Sequence, residues 1–195
     1  FRDLSEDKDI PKFATHLVYL TKADNPNNVE KQVIDSILAK KVKRADIYWF
    51  VHVNYTDEPY SMEYRVKELI DDKVIRVDFD LGFRVQPRIN MLFKRVLEEM
   101  ESDHELEFRS KYESIKKGDF HTDICYVLTE RVLSVENEFT LRDDLLLDAY
   151  FALKRLALSD REAFGLDPNL TVVEQVPLVI QQRNELPLKR VGKGM

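Results

Sequence analysis

The longest apolar stretch of the chain, IYWFVHV at 47–53, carries apolar or aromatic side chains on both alternating faces and is bounded by charge. That pattern predicts a central strand covered from both sides. HLVYLT at 16–21 predicts a second, short buried strand, and KADNPNN at 22–28 a loop rich in turn formers. Between them Val29, Val33, Ile37 and Leu38 recur at helical spacing, with Asn25 as cap ahead of Pro26, or Asn28 capping a later start. Strand, helix, strand in this order predicts a right-handed crossover that lays the helix on one face of a sheet.

The pattern then changes period. Residues 62–70 alternate Met62, Tyr64 and Val66 against Glu63, Arg65 and Lys67; residues 74–81 alternate Ile75, Val77, Phe79 and Leu81 against Arg76, Asp78 and Asp80. With Asp71-Asp72 between them, the two read as an antiparallel hairpin with one solvated face. Gly82 ends it, and Pro87 opens a helix whose Ile89, Phe93, Val96, Leu97 and Met100 form one apolar stripe. Residues 101–117 are charged and carry no clear period. A strand at 120–128 follows, then a helix after Thr140, with Asp143 three residues on as in a capping box and Leu141, Leu145, Tyr150, Leu153 and Leu156 on its buried side. LTVVEQVPLV at 170–179 predicts an edge strand interrupted by Pro177. The expected fold is α/β: a central mixed β-sheet (β-α-β start, antiparallel meander, then α-β-α) with helices packed on its faces. Residues 1–12 are a polar lead, 13–180 one domain, and 181–195 a flexible tail.

Composition narrows the function more than the fold. A chain of 195 residues, 44% hydrophobic, has enough apolar material for one core. Its net charge of −6 argues against general DNA or RNA binding. No stretch approaches the ~20 apolar residues of a membrane-spanning helix. The charged beginning FRDLSEDKD is no signal peptide and starts with Phe, so the chain reads as an internal piece or a processed product. The single cysteine, Cys125, sits in the apolar DICYVL and is expected to be an inert strand residue.

Chemistry is sparse. Five glycines provide neither a phosphate-cradling GxxxxGK[ST] loop nor a GxGxxG dinucleotide turn, and no GxSxG elbow occurs. The four histidines, His16, His52, His104 and His121, lack metal-ligand spacing; His121 and Asp123 alternate on a strand but make a weak pair. No catalytic residue, metal site or cofactor is expected. What remains is the carboxyl edge of the parallel strands, where ligands bind in open α/β sheets. Thr21, Lys22 and Asn25 follow the first strand, and the amides of the helix start beside them could face a phosphate. Asn54 and Tyr55 follow the second strand. Arg84 and Arg88 flank Pro87 and could hold phosphate bidentately, or pair with Asp78, Asp80 or surface glutamates. Tyr48 and Trp49 point to opposite faces, so the exposed aromatic stretch VNYTDEPYSMEY is the better candidate for stacking.

Four segments, KFATHLVYLT, KRADIYWFVHVNYTDEPYSMEY, VIRVDFDLGFRVQPRIN and AFGLDPNLTVVEQVPL, resemble the cytoplasmic C-terminal region of bacterial Kup potassium uptake permeases, over about Pro11 to Val179. The GFR segment followed by proline and a helix is the most specific element. The resemblance implies a non-enzymatic domain on the cytoplasmic side of the cell membrane, attached to the transmembrane portion of a proton-coupled K⁺ importer. The version it resembles is that of Gram-positive bacteria, and this implies regulation by the second messenger cyclic di-AMP, which lowers potassium uptake, with ligand expected at a homodimer interface. The family offers no short ligand signature, so the seven site residues rest on what two adenines and two phosphates need. Two other readings stay open: a structural dimerisation domain without a small ligand, and an enzyme acting on nucleotides.

Overall fold

The computed structural model describes residues 1–25, 27–40, 42–103, 123–133 and 160–178. The predicted helix after Thr140, most of the charged stretch 101–117, His104, His121 and the tail 181–195 lie outside these residues. The chain divides into two compact units, Phe1–Thr129 with Leu158–Glu174, and Glu130–Ala157 with Gln175–Met195. Of the second unit only the ends of two strands are described.

A six-stranded mixed sheet forms from β1 (Lys12–Leu20), β2 (Arg44–Thr56), β3 (Met62–Ile70), β4 (Val74–Gly82), β5 (Ile124–Leu133) and β6 (Thr171–Leu178), in the order β3-β4-β2-β1-β5-β6. β1 runs parallel to both β2 and β5, and β2 parallel to β4. β3 pairs antiparallel with β4, as the alternating pattern required. β4, and not β3, lies beside β2, so β3 is an edge strand. Asp72, with φ of 54°, makes the turn between them. The predicted edge strand near the end of the chain is β6, which runs through Pro177.

α1 (Arg2–Glu6) lies within the polar lead, and Phe1 ahead of it packs edge-on against Tyr48, ring centres 4.8 Å apart. α2 (Lys31–Asp35) continues into a π turn, Ser36–Lys40. Val33 and Ile37 are buried on the sheet as predicted, whereas Leu38 is half exposed. α3 (Ile89–Ser102) buries the five residues of the predicted stripe. Its Phe93 sits between Trp49 and Tyr126 at centroid distances of 5.1 and 6.2 Å. Each such fully buried side chain stabilises by about 1.5–3 kcal/mol. Two cores result, one on each face of the sheet: Trp49, Val51, Val77 and Phe79 with α3, and Leu17, Tyr19, Tyr48 and Phe50 with α2. Tyr48 and Trp49 thus take opposite faces, and both are fully buried.

Two expectations are corrected. Neither Asn25 nor Asn28 caps α2: the cap position is Glu30, because its carboxylate turns back to the loop while Asn25 Oδ1 is taken by the Asn27 amide at 2.9 Å. And the β3–β4 hairpin has no solvated face at β4, every residue of which is buried. Arg76, Asp78 and Asp80 look outward in an alternation pattern, but Arg76 pairs with Asp78 and donates to carbonyls of the loop after β1, and Asp80 pairs with Arg65 and accepts from Asn54. Their charge is satisfied internally.

Candidate functional site

All seven predicted residues lie beyond or near the carboxyl ends of parallel strands, on one edge of the sheet. They do not form one cluster. The Thr21 amide donates to the Val51 carbonyl, closing β1 against β2. β2 runs on, so Asn54 stands three residues, about 10 Å, past that point.

On the α2 face the edge is filled by the protein's own side chains. Thr21 is buried; its hydroxyl donates to Glu30 at 2.6 Å, and the Lys22 amide donates to the other Glu30 oxygen at 2.5 Å. Burial works to raise the Glu30 carboxyl, but the Thr21 hydroxyl and the amides of Lys22, Glu30 and Ala23 outweigh it and hold it below its ordinary range. An anionic carboxylate therefore occupies the place where helix-start amides would meet a phosphate.

Beneath the same loop Arg76 is completely buried. Its guanidinium donates to the carbonyls of Ala23 at 2.7 Å and Asn25 at 3.1 Å, and grips Asp78 through Nε at 2.8 Å and Nη2 at 2.7 Å. The His52 Nδ1–H donates to the Thr21 carbonyl at 3.1 Å. Asn54 donates to Asp80 at 3.0 Å, and Asp80 also pairs with Arg65 at 2.8 Å. The carboxylates of Glu30, Asp78 and Asp80 and the cations Arg65 and Arg76 on or beside this face are spent on one another or on the loop, so few of its donors are left for a phosphate.

The opposite side of the edge is different. Gly82 ends β4 under the β2–β3 turn: its amide donates to Ser61 O at 2.8 Å and the Arg84 amide to Pro59 O at 3.0 Å. A methyl group on Gly82 would fall on the Glu58 carbonyl oxygen and 2.6 Å from that of Pro59. Only glycine lets the turn and the following loop meet, which is the physical content of the GFR segment. Around this contact Tyr55, Tyr60 and Phe83 are all more than half exposed. Arg84 lies 5.9 Å from the centre of the Phe83 ring and donates to the Tyr60 hydroxyl at 3.3 Å. Arg88 is exposed, bonded only locally to Gln86 at 3.2 Å. The late AFGLDPNL segment seals the start of α3. The Phe164 carbonyl accepts from the Ile89 amide at 2.9 Å, and Gly165, with φ of 58°, leaves 3.3 Å between a Cβ there and the Arg88 Cα.

The predicted residues thus share one edge of the sheet but divide between its two halves, a division that the sequence reading did not see. It missed Glu30, Arg76 and Asp78, which fill one half, and Phe83 in the other, where Tyr60 belongs to the aromatic stretch named for stacking. One signal was available: Arg76 and Asp78, two apart on a strand, must share a face and can pair. Among the described residues no three potential ligands gather for a metal. Asp123 accepts from Thr15, and burial pushes the Cys125 thiol up to about 11, the state of an unreactive cysteine.

The sequence profile of the family described as K+ potassium transporter C-terminal domain matches residues 14–180. The chain belongs to that family. Among its relatives, a probable potassium transport system protein Kup of Cytophaga hutchinsonii is 47% identical over 97% of this chain and 29% of that protein. The corresponding protein of Clostridium perfringens is 34% identical over 98% of this chain and 29% of its own length. A Kup 2 protein of Lactobacillus acidophilus is likewise 34% identical, over 97% and 28%. The chain therefore spans less than a third of the curated relatives it matches. No solved structure matches. Among the described residues no helix of this chain is long and apolar enough to cross a membrane.

Proposed function

We propose that this chain is the cytoplasmic regulatory domain of a proton-coupled potassium importer, and that as a homodimer it binds cyclic di-AMP and thereby lowers potassium uptake. Membership of the potassium transporter C-terminal family carries the transporter half of this reading. The arginine and aromatic patch beside Gly82 supports the ligand half. A cyclic dinucleotide presents two flat bases and two phosphodiesters; Tyr55, Tyr60 and Phe83 offer exposed rings, and Arg84 and Arg88 offer guanidinium forks. Lys22, Asn25 and Asn54 stand on the same edge and are assigned a secondary role, and Thr21 none, since its hydroxyl is spent on Glu30. A ligand that binds one arrangement of the dimer better than another shifts the importer toward that state by its difference in affinity.

The test is calorimetric titration of the 195-residue chain with cyclic di-AMP, AMP and ATP. Saturable binding of cyclic di-AMP at about one ligand per dimer is expected for a two-fold ligand. Silence with all three at high micromolar concentration overturns the ligand half. It would favour a purely structural domain, the reading that the self-filled α2 half of the edge supports. Turnover of any of the three would make the domain an enzyme.

A further inference from the structure

Tyr19 and Thr21, at and just beyond the end of β1, share the α2 face of the sheet and are buried there. Each holds one end of that helix. The Thr21 hydroxyl binds Glu30 at the cap of α2, and the Tyr19 hydroxyl lies 2.7 Å from Ser36 Oγ, where the helix gives way to the π turn. The Ser36 proton goes to Glu174 Oε2 at 2.5 Å, so Tyr19 is the donor to Ser36. Lys43, ahead of β2, completes the cluster: its ammonium donates to the Ser36 carbonyl and pairs with Glu174 Oε1 at 2.7 Å. Tyr19, Ser36 and Lys43 are all buried. Glu174 lies on β6 and is the residue from which the chain passes out of the first compact unit.

A buried ion pair adds little stability over apolar residues of like volume; what it adds is a fixed position for both partners. Single π turns recur at functional positions. Five residues of α-helix cannot hold themselves in water, so α2 lies where its tethers and the buried Val33 and Ile37 put it. We infer that α2 and its π turn couple the loop after β1 to β6, with Val33 and Ile37 as the pivot between the two tethers. Loss of the Glu30 contacts frees the helix start, and the Ser36 end then shifts against Lys43 and Glu174. The coupling is a free energy shared by two places, so a change at β6 loosens the loop as much as a change in the loop loosens β6. That loop carries Lys22 and Asn25, on the candidate edge. The inference rests on the proposed function only for the use made of the coupling, and gives that edge a route to the strand by which the chain leaves the first unit.

Native-state hydrogen exchange of the unliganded chain, read residue by residue by NMR, tests it, so failure here is distinct from failure to bind cyclic di-AMP. Thr21→Val keeps the buried shape and removes the hydroxyl that binds Glu30. The amides of Val172, Val173 and Glu174 are expected to exchange at least about tenfold faster, with those of Ile75, Val77 and Phe79 in β4 unchanged. Lys43→Met together with Glu174→Leu removes the tie at the other end without leaving a buried charge. There the amides of Lys22 and Ala23, which Glu30 and Thr21 hold, are expected to speed up by a like factor. A Thr21→Val chain whose β6 amides keep their rates, or a double variant whose Lys22 and Ala23 amides keep theirs, would overturn the inference. So would β4 amides that rise with the rest, since that is plain loss of global stability.

Discussion

Acid should destabilise this domain through one histidine. His16 lies in β1 between Ile47 of β2 and Ile124 of β5 and is 3% exposed. The Trp49 indole N–H donates to its Nδ1 at 3.2 Å, so that nitrogen must keep its lone pair. Burial lowers its pKa from 6.5 to about 4; Asp46 works in the opposite direction and Lys12 adds a smaller lowering. In the unfolded chain the imidazole titrates near its ordinary value. Between the two values the unfolded state carries the extra proton and the folded state does not. The contribution is therefore fully present above 6.5 and is lost as the pH falls toward 4. The slope reaches about 1.4 kcal/mol per pH unit, and the accumulated loss is about 3 kcal/mol. Urea unfolding of the wild type and of His16→Gln, from neutral pH down to about 4.5, separates this effect from carboxylates common to both. The wild type should lose stability more steeply below 6.5. Parallel curves for the two proteins, or an NMR titration placing His16 near its ordinary value in the folded state, would refute the reasoning.

Arg76→Ala leaves Asp78 buried without its guanidinium and strips two loop carbonyls of their donor; a loss of about 3–5 kcal/mol is expected in denaturant unfolding. Arg76→Lys should recover only a fraction, because an ammonium cannot span Asp78 and both carbonyls at once. Gly82→Ala forces the β2–β3 turn away from the strand end, and should lower the melting temperature and expose the Ser61 and Pro59 carbonyls to faster exchange at the amides they bind. Arg84→Ala should weaken cyclic di-AMP binding by about 1–3 kcal/mol in calorimetry, whereas Lys22→Ala, on the self-filled half of the edge, should change it less. A loss in Lys22→Ala alone would move the phosphates to the loop after β1.

What could be read from the chain was whatever repeats with a period. The α3 stripe, the two-sided burial of β2 and the β3–β4 pairing all follow from spacing, and the structure places them as expected. What failed was anything fixed by a partner far along the chain. Arg76 alternates like a surface residue because nothing near it in sequence says that the loop at Ala23 will fold over it. Asn25 has the composition of a helix cap, but Glu30 reaches Thr21 and Lys22 and takes the position. Likewise the candidate ligand residues share an edge, since all follow parallel strands. Which of them face solvent was decided by buried acids that the pattern made look exposed.

The guanidinium that fastens the loop after β1 arrives 53 residues later. β1, α2 and β2 can assemble from neighbouring contacts, but residues 23–25 have only local hydrogen bonds, to Thr21, Asn27 and Asn28, until β4 docks against β2, so this loop gains its long-range anchor late in folding. Interactions formed that late act on unfolding speed: Arg76 governs how long the native state persists more than how fast it is reached. The late clasp also leaves an interval in which the apolar edge of β2, still waiting for β4, is open to strands of other chains.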